Sequence, residues 1–260
     1  FKKNPSLFKK KKFLIAVSGG PDSLALAALA KSYNYENRSK IFYVLVDHKL
    51  RKNSSREAQL VKRLLKKYGI NLYILKNDKI INKNIQSEAR KVRYSLLTSF
   101  CKKKNINVIL TAHNLEDQVE TFFIRLSRGS GLDGLSAMKK INKIENSVKL
   151  VRPLLDFKKI ELIKISKIIF GKYYKDPSNK NTKYLRTRIR NLKEILETSG
   201  INYDQVIKSI KNLASSKDTL EQYFNQIYKN IINKKKSEIM IDLKIFNKIN
   251  QEMWGGGCGH

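Results

Sequence analysis

The sequence predicts an α/β fold, a doubly wound parallel sheet followed by a smaller helical C-terminal domain. Short apolar runs alternate with stretches whose apolar residues recur at helical spacing. The links between them are short, which favours parallel strands joined by crossover helices. Beyond Pro153 the strand signal fades, while helical, lysine-rich stretches continue.

Four apolar runs are predicted to be strands because each is too short for a helix and has the composition of a buried strand. They cover residues 13–17, 41–48, 71–75 and 107–113. A helix is predicted after each strand. The first begins at Ser23, and the others cover residues 55–68, 87–103, with Ser87 as N-cap, and 116–126.

The rest of the chain is predicted to be mostly helical. The helical stretches cover residues 160–170, 191–198, 203–231 and 242–250. We place a domain boundary near Ser199 and Gly200. It separates a ligand-binding domain of residues 1–198 from a basic helical domain of residues 199–260, which we expect to contact a nucleic-acid partner.

The charge balance indicates a polyanionic partner. Lys and Arg number 54 against 22 Asp and Glu, which gives a net charge of +32. An enzyme of small metabolites does not need such an excess, whereas a nucleic-acid partner does. Codon bias is the alternative, because the chain is also rich in Asn and Ile.

Cysteine usage and hydropathy indicate a cytoplasmic protein. Cys101 and Cys258 are far apart and form no C-x-x-C pair, which argues against a disulfide framework or a zinc knuckle. The longest apolar runs are too short to span a bilayer.

The turn after the first strand is the strongest candidate for a ligand site. It consists of Ser18, Gly19, Gly20, Pro21, Asp22 and Ser23. Backbone N–H groups and a helix N-terminus would converge there, an arrangement that binds phosphate groups. We expect the donors at Gly19, Gly20 and Ser23. An ordinary strand-to-helix turn is the alternative.

Asp22 distinguishes this turn from a Walker A loop, which needs a Lys after its last Gly. A carboxylate repels phosphate, so Asp22 fits instead as a Mg²⁺ ligand or as a partner for an ammonium group. We expect it on a solvent-facing turn.

Other polar residues also follow predicted strands. Asp47 and His48 come after the second strand, and Ala112 and His113 come after the fourth. The carboxyl ends of parallel strands are where ligands bind in such sheets. We therefore expect these residues to lie near the first turn.

An ordered set of motifs identifies a family. The Ser-Gly-Gly-x-Asp-Ser turn resembles the PP-loop of ATP pyrophosphatases, which have a Rossmann-like fold. Further motifs follow at residues 46–51, 88–94, 111–121, 128–138, 152–155 and 176–179, with Arg186 and Arg190. With this ordered set, the chain closely resembles the bacterial tRNA(Ile)-lysidine synthases over residues 13–196.

The resemblance implies an enzyme that uses ATP and Mg²⁺ to modify the wobble cytidine of the isoleucine tRNA with a CAU anticodon. ATP adenylates the cytosine ring carbonyl and pyrophosphate leaves. The ε-amine of free lysine then attacks the activated carbon and AMP departs, leaving lysidine.

The resemblance also implies residue roles. Catalysis is assigned to Asp22, Asp117, Glu116 and Arg186, with Asp22 the tentative metal ligand. Nucleotide binding is assigned to Ser18, Gly19, Gly20, Pro21, Asp22, Ser23, His48, Ala112, His113, Arg128 and Gly129.

The chemistry of free lysine supports a need for carboxylates. Its amine has a pKa of about 10.4, so the site must bind the cation and then remove a proton. Asp117 and Glu116 offer carboxylates at a helix start. Arg186 and Arg190, one helical turn apart, suit the AMP phosphate, the lysine carboxylate or the tRNA backbone.

Each of these residues also has a structural interpretation. Asp117 could lie at the helix start only because the helix dipole favours a negative charge there. His113 could simply end the strand. Arg186 and Arg190 could form a solvated face, and we expect Glu120 and Thr121 to support the loop.

Two departures from the family pattern matter for these assignments. The family commonly has Asp where this chain has Glu116, and often Asn where it has Thr187.

Three other functions remain open from the sequence. A PP-loop tRNA 2-thiolation enzyme would share the ATP loop and the RNA, but it needs reactive or cluster-binding cysteines. The others are a non-catalytic RNA-binding module and a small-molecule synthetase or amidotransferase. The oligomeric state also stays open, with a homodimer as one candidate.

Overall fold

The computed structural model describes Phe8 and residues 11–79, 81, 83–145, 148–174, 177, 181–234 and 239–241, with side chains described up to residue 228. The strands are β1 (Lys12–Val17), β2 (Lys40–Asp47), β3 (Leu72–Lys76), β4 (Val108–Leu110), β5 (Ile141–Lys143), β6 (Lys149–Val151), β7 (Ile232–Lys234) and β8 (Ile239–Ile241). The helices are α1 (Pro21–Asn37), α2 (Ser54–Lys67), α3 (Ile85–Lys104), α4 (Leu115–Leu126), α5 (Leu132–Leu135), α6 (Lys159–Phe170), α7 (Leu185–Asn191), α8 (Lys193–Thr198) and α9 (Tyr203–Ile231).

Six strands form one sheet in the order β3-β2-β1-β4-β6-β5. All neighbours are parallel except β5, which pairs antiparallel with β6 at the edge. The chain leaves β1 towards β2 on one side and returns to β4 on the other. This reversal opens a crevice at the carboxyl ends of β1 and β4, the usual position of a ligand in such sheets.

Both faces of the sheet are buried, which explains the uninterrupted apolar runs. Along β1, Phe13, Ile15 and Val17 point to the face packed by α1, α2 and α6. Leu14 points to the other face, where Leu97 and Cys101 of α3 cover it. The predicted doubly wound parallel sheet is therefore confirmed.

A third apolar cluster joins α9 to α4. Tyr203, Ile207 and Ile210 pack against Leu115 and Val119. The boundary between residues 198 and 199 stays a prediction, but the first turns of α9 share a core with the helix that follows β4.

Several elements differ from the sequence expectations. The expected N-cap Ser87 lies inside the first turn of α3, since the Glu88 N–H already donates to the Asn84 carbonyl at 3.0 Å. Helix α7 and the short strands β5 to β8 were not predicted, because three-residue strands carry little periodicity. The predicted helix at 242–250 lies outside the described residues.

None of the helices among the described residues combines the length and apolar character needed to cross a lipid bilayer.

Candidate active site

The Ser23 hydroxyl holds the turn between β1 and α1 together. Its Oγ accepts hydrogen bonds from the Ser18 and Gly19 N–H groups, each at 3.1 Å. The Ser18 hydroxyl approaches it at the same distance, and Ser23 Oγ donates to the Gly20 carbonyl at 3.0 Å. One side chain thereby fixes the backbone of the loop before any ligand binds.

Gly19 is required by both its conformation and its neighbours. Its φ of +85° lies in the left-handed region. A Cβ there would meet Val61 Cγ2 at 2.5 Å. The Tyr174 N–H donates to the Gly19 carbonyl at 3.0 Å, which ties the loop to the segment after α6.

The backbone N–H groups that this loop can offer a ligand differ from the three expected ones in one respect. The Gly19 N–H is used by Ser23 and is not free for a ligand. Helix α1, by contrast, begins with Gly20 as N-cap and Pro21 in the first turn, without a side-chain cap. Its first N–H groups are therefore left for an anion, which the positive end of the helix dipole also favours.

Asp22 is half-buried, whereas the sequence analysis expected it on a solvent-facing turn. Its Oδ1 is buried without a hydrogen-bond partner among the described residues. The pKa of this carboxyl is raised to about 6, mainly by burial and also by the charge of Asp117, although Lys159 and a hydrogen bond with Asn114 lower it. The reason for the difference is tertiary packing, since α6 packs against α1 and the charges at the start of α4 act on the Asp22 carboxyl.

An unpartnered carboxylate oxygen beside a phosphate loop fits a Mg²⁺ ion. Within the described residues, no group of three His, Cys, Asp or Glu side chains is placed to hold a metal. Magnesium commonly uses one or two carboxylates and takes its other ligands from phosphate and water. Asp22 meets that requirement.

The N-terminus of α4 is closed by a reciprocal capping box. The Asp117 N–H donates to Asn114 Oδ1 at 2.9 Å, and the Asn114 N–H donates to Asp117 Oδ2 at 3.0 Å. The other Asp117 oxygen accepts from Arg186 Nη2 at 2.6 Å. Asp117 therefore serves the helix start, as in the structural interpretation, and also fixes an arginine.

Glu120 is the buried centre of an ion-pair network. Only 3% of its side chain is exposed, and it accepts from Arg186 Nε and Arg190 Nε, both at 2.6 Å. Arg190 Nη2 adds a further bond at 3.0 Å. Burial lowers the pKa of Arg186, but Asp117 and Glu120 more than compensate and raise it.

This network brings Arg186 and Arg190 to one side of α7, as their spacing predicted. The contact with Glu120 was missed, because the partner lies in a distant helix. The expected support role of Glu120 is better described as holding two arginines in place beside the first turn of α4.

Glu116 and Lys159 lie on the other side of the same helix start. Glu116 Oε2 accepts from the Lys159 N–H at 2.9 Å and so caps α6. The sequence analysis missed Lys159, which no motif marks. A cavity of about 220 Å³ opens here, lined by Glu116, Glu120, Lys159, Ile160, Ile163, Arg190, Lys193 and Tyr203.

Two histidines, His48 after β2 and His113 after β4, are close enough to arginines to be affected by their charges. Burial, together with the charges of Arg152, Arg186, Arg90 and Arg93, lowers the pKa of His113 to about 3. The ring is neutral at pH 7, and its Nδ1 lies 3.0 Å from Thr111 Oγ1.

His48 is neutral for similar reasons. Burial and the charge of Arg93 lower its pKa to about 4. Arg93 Nε lies 3.3 Å from His48 Nε2. Arg93 and Arg90 belong to the quoted motif at residues 88–94, but the sequence assigned them no role.

The other predicted site residues make no contact with the network of Asp117, Glu120 and Arg186 among the hydrogen bonds and ion pairs of the described residues. Ala112 packs against the core face that contains α1. Arg128 and Gly129 are exposed on the turn after α4. Among the described residues, no hydrogen bond, ion pair or ring contact joins them to the loop at 18–23. The motif at 176–179 lies outside the described residues except for Pro177.

Comparison with known proteins shows the family of the chain. The profile of the PP-loop domain matches residues 1–197. The chain is 36% identical over 233 residues to the tRNA(Ile)-lysidine synthase of Wolbachia pipientis wMel, covering 88% of this chain and 54% of that protein. It is 38% identical over 236 residues to the protein of the same name from Orientia tsutsugamushi (strain Boryong), covering 90% and 51%.

The chain thus spans about half the length of the curated relatives it matches. Among solved structures, it resembles the U34-tRNA thiolase NcsA from Methanococcus maripaludis, with its [4Fe-4S] cluster. The TM-score is 0.66 at 21% identity, covering 80% of this chain and 73% of that chain. This likeness shows the shared fold.

Proposed function

The chain belongs to the PP-loop domain family, and we propose that it carries out the reaction of the tRNA(Ile)-lysidine synthases. It would ligate lysine to the wobble cytidine of the tRNA with a CAU anticodon. The observation that carries the proposal is the buried Asp22 Oδ1 without a hydrogen-bond partner among the described residues, in a carboxylate on which the charges of Asp117 and Lys159 act. Carboxylates there serve a cationic second substrate.

Membership of the family implies that the chain binds ATP. The uncapped start of α1 supplies backbone donors for the phosphate groups, and the fixed loop needs no rearrangement to present them. Magnesium held by Asp22 would neutralise charge on the departing pyrophosphate. His48 and His113, both neutral, can donate and accept hydrogen bonds to the nucleotide without adding charge.

The first step joins the ring carbonyl oxygen of the cytosine to the α-phosphorus of ATP and breaks the bond to pyrophosphate. Arg186 and Arg190 are fixed by Glu120 within reach of this helix start. Their guanidinium groups suit the phosphate that remains on the activated base.

In the second step the lysine amine bonds to the activated carbon, AMP leaves, and the new nitrogen loses a proton. Asp22 and Asp117 would attract the lysine ammonium. While Asp22 holds magnesium it stays ionised, so the proton would pass to a neighbouring carboxylate, Asp117 or Glu116.

We expect tRNA to be the polyanionic partner that the positive charge of the chain indicates. A net charge of +32 attracts RNA over long range. At the crevice itself, the charges of Arg90, Arg93 and Arg152 surround His113. We place the reaction in the cytoplasm, where the substrates meet, and keep a homodimer as a candidate assembly.

A tRNA thiolase is the second candidate, because a solved thiolase shares the fold. Cys101 argues against this candidate. Its side chain is fully buried among apolar residues, and burial raises the pKa of the thiol to about 12. Such a thiol cannot carry sulfur as a thiolate. The other cysteine, Cys258, lies outside the described residues.

Product analysis separates the two functions. The chain is incubated with Mg-ATP and a CAU-anticodon tRNA, with lysine present or absent, and release of AMP is followed. We expect turnover only when both tRNA and lysine are present, and unchanged turnover in Cys101→Ala. Turnover that needs a sulfur donor instead of lysine would favour the thiolase.

A further inference from the structure

A cavity that the proposed reaction does not use lies at the amino ends of the strands, opposite the crevice. It lies where β2 and β3 begin, beside the last turns of α1, and measures about 400 Å³. Its lining includes Lys31, Asn34, Tyr35, Lys40, Phe42 and Tyr73. We refer to these six residues as the amino-edge pocket.

Two tyrosines of the pocket are exposed to solvent. Tyr35 is 78% exposed and Tyr73 is 44% exposed. The Tyr73 ring is held from behind by Phe42 and Phe100, at centroid distances of 6.1 and 5.4 Å. A large, exposed, supported ring at a cavity mouth is a surface on which a flat ligand can stack.

Cations stand beside these rings. Lys31 Nζ lies 5.9 Å from the Tyr35 ring centroid and also donates to the Tyr68 carbonyl. Lys40 Nζ lies 5.8 Å from the Phe42 centroid. Among the residues that the structure describes, no acidic side chain lines the pocket. The pocket therefore favours an anionic, aromatic ligand.

A polar atom within the lining still lacks a partner. Asn34 Oδ1 is buried without a hydrogen bond among the described residues. That oxygen is not open to the cavity, so the match to a nucleotide comes from the exposed rings and the two lysines.

We propose that the amino-edge pocket binds an unpaired nucleotide of the tRNA whose anticodon occupies the crevice. Tyr35 and Tyr73 would stack on the base, and Lys40 and Lys31 would contact the phosphates. Strand β2 runs from the pocket to the crevice, so the two sites are about 25 Å apart. One folded RNA can reach both, and the proposal rests on the proposed function in naming tRNA as that RNA.

Direct binding measurements on the full chain test this surface. Tyr35→Ala and Lys40→Ser are compared with Ile168→Ala and Lys164→Ser. Ile168 is 80% exposed, and neither control residue lines the pocket. We expect Tyr35→Ala to raise the Kd for tRNA about fivefold or more, the effect of losing one stacked base. The control variants should stay within twofold, and the Kd for Mg-ATP should not change.

Binding of two tRNAs with different anticodons distinguishes this surface from the site of the proposed reaction. The pocket lies away from the anticodon site, so the loss in Tyr35→Ala should be the same for a tRNA with a CAU anticodon and for one with another anticodon. Ultraviolet crosslinking of bound tRNA should label Tyr35 or Tyr73.

The outcomes are distinct. If native chain makes lysidine but the pocket variants bind tRNA within twofold of it, the pocket proposal is wrong and the reaction stands. If lysidine is not made but the variants lose tRNA binding, the pocket stands. Crosslinks confined to other surfaces would overturn the pocket proposal. Binding of an acidic peptide, but not of tRNA, at the pocket would overturn it as well.

Discussion

Asp22 is the residue on which the proposed chemistry depends most. Its unfolded carboxyl has an ordinary pKa of 3.8, and burial in the fold raises that value to about 6. The folded state therefore binds the proton more tightly. This group favours folding below pH 3.8, and that contribution is lost as the pH rises through 6.

Asp22→Asn should abolish lysidine formation without lowering stability. At pH 7.5 the variant no longer holds an ionised carboxylate in a half-buried site, so its melting temperature should equal or exceed that of the native chain. Asp78→Asn, which removes an exposed partner of Lys49, is the control and should keep activity. Native turnover by Asp22→Asn would remove this residue from the site.

The titration of Asp22 can be observed directly. In carbon-13 NMR of Asp-labelled protein, the carboxyl signal lost in Asp22→Asn should titrate with a midpoint near 6. Bound Mg-ATP should lower that midpoint, because the ion favours the charged carboxylate. A midpoint near 3.8 in the free protein would show that the carboxyl is not desolvated.

Asp117 and Glu116 should differ in importance. Asp117 binds Arg186 and caps α4, whereas Glu116 accepts one backbone hydrogen bond that glutamine can also accept. We expect Asp117→Asn to reduce kcat by about tenfold more than Glu116→Gln, which corresponds to losing one hydrogen bond between charged groups. Equal losses, or a greater loss at Glu116, would reverse the roles.

Among the elements, α9 links the predicted C-terminal domain to the site. From the sequence alone, removing everything after Gly200 should weaken tRNA binding but spare nucleotide binding, because the ATP motifs lie upstream. The structure changes that expectation, since Tyr203, Ile207 and Ile210 cover Leu115 and Val119 of α4.

Two truncations test this coupling. A chain ended after Gly200 should melt about 5 °C lower or more and bind Mg-ATP less tightly, because α4 loses an apolar cover. A chain ended after Ser215 keeps the cluster and should retain both properties. Equal melting temperatures for the two chains would mean that α9 does not support α4.

The elements show which structural features local sequence patterns can predict and which they cannot. The apolar run of β1 and the glycines after it predict both the strand and the turn, since local chain geometry determines them. The pairing of Glu120 with Arg186 and Arg190 could not be predicted, because the fold brings together residues about 70 positions apart. The burial of Asp22 was missed for the same reason.

For the whole molecule, charge should govern RNA binding and leave ATP binding almost unaffected. With many Lys and Arg contacts to phosphates, the Kd for tRNA should rise about tenfold or more between 50 and 200 mM salt. Mg-ATP makes short contacts in a recessed loop, so its Kd should change much less. Salt-independent tRNA binding would mean that the excess of lysine reflects codon usage.

Nucleoside analysis tests the central claim most directly. The chain is incubated with isotopically labelled lysine, Mg-ATP and a CAU-anticodon tRNA, and the tRNA is then digested to nucleosides. We predict labelled lysidine in place of the wobble cytidine, with one AMP and one pyrophosphate released per lysine joined, and no label in a tRNA with a GAU anticodon. Unmodified cytidine at that position, with ATP intact, would contradict the account.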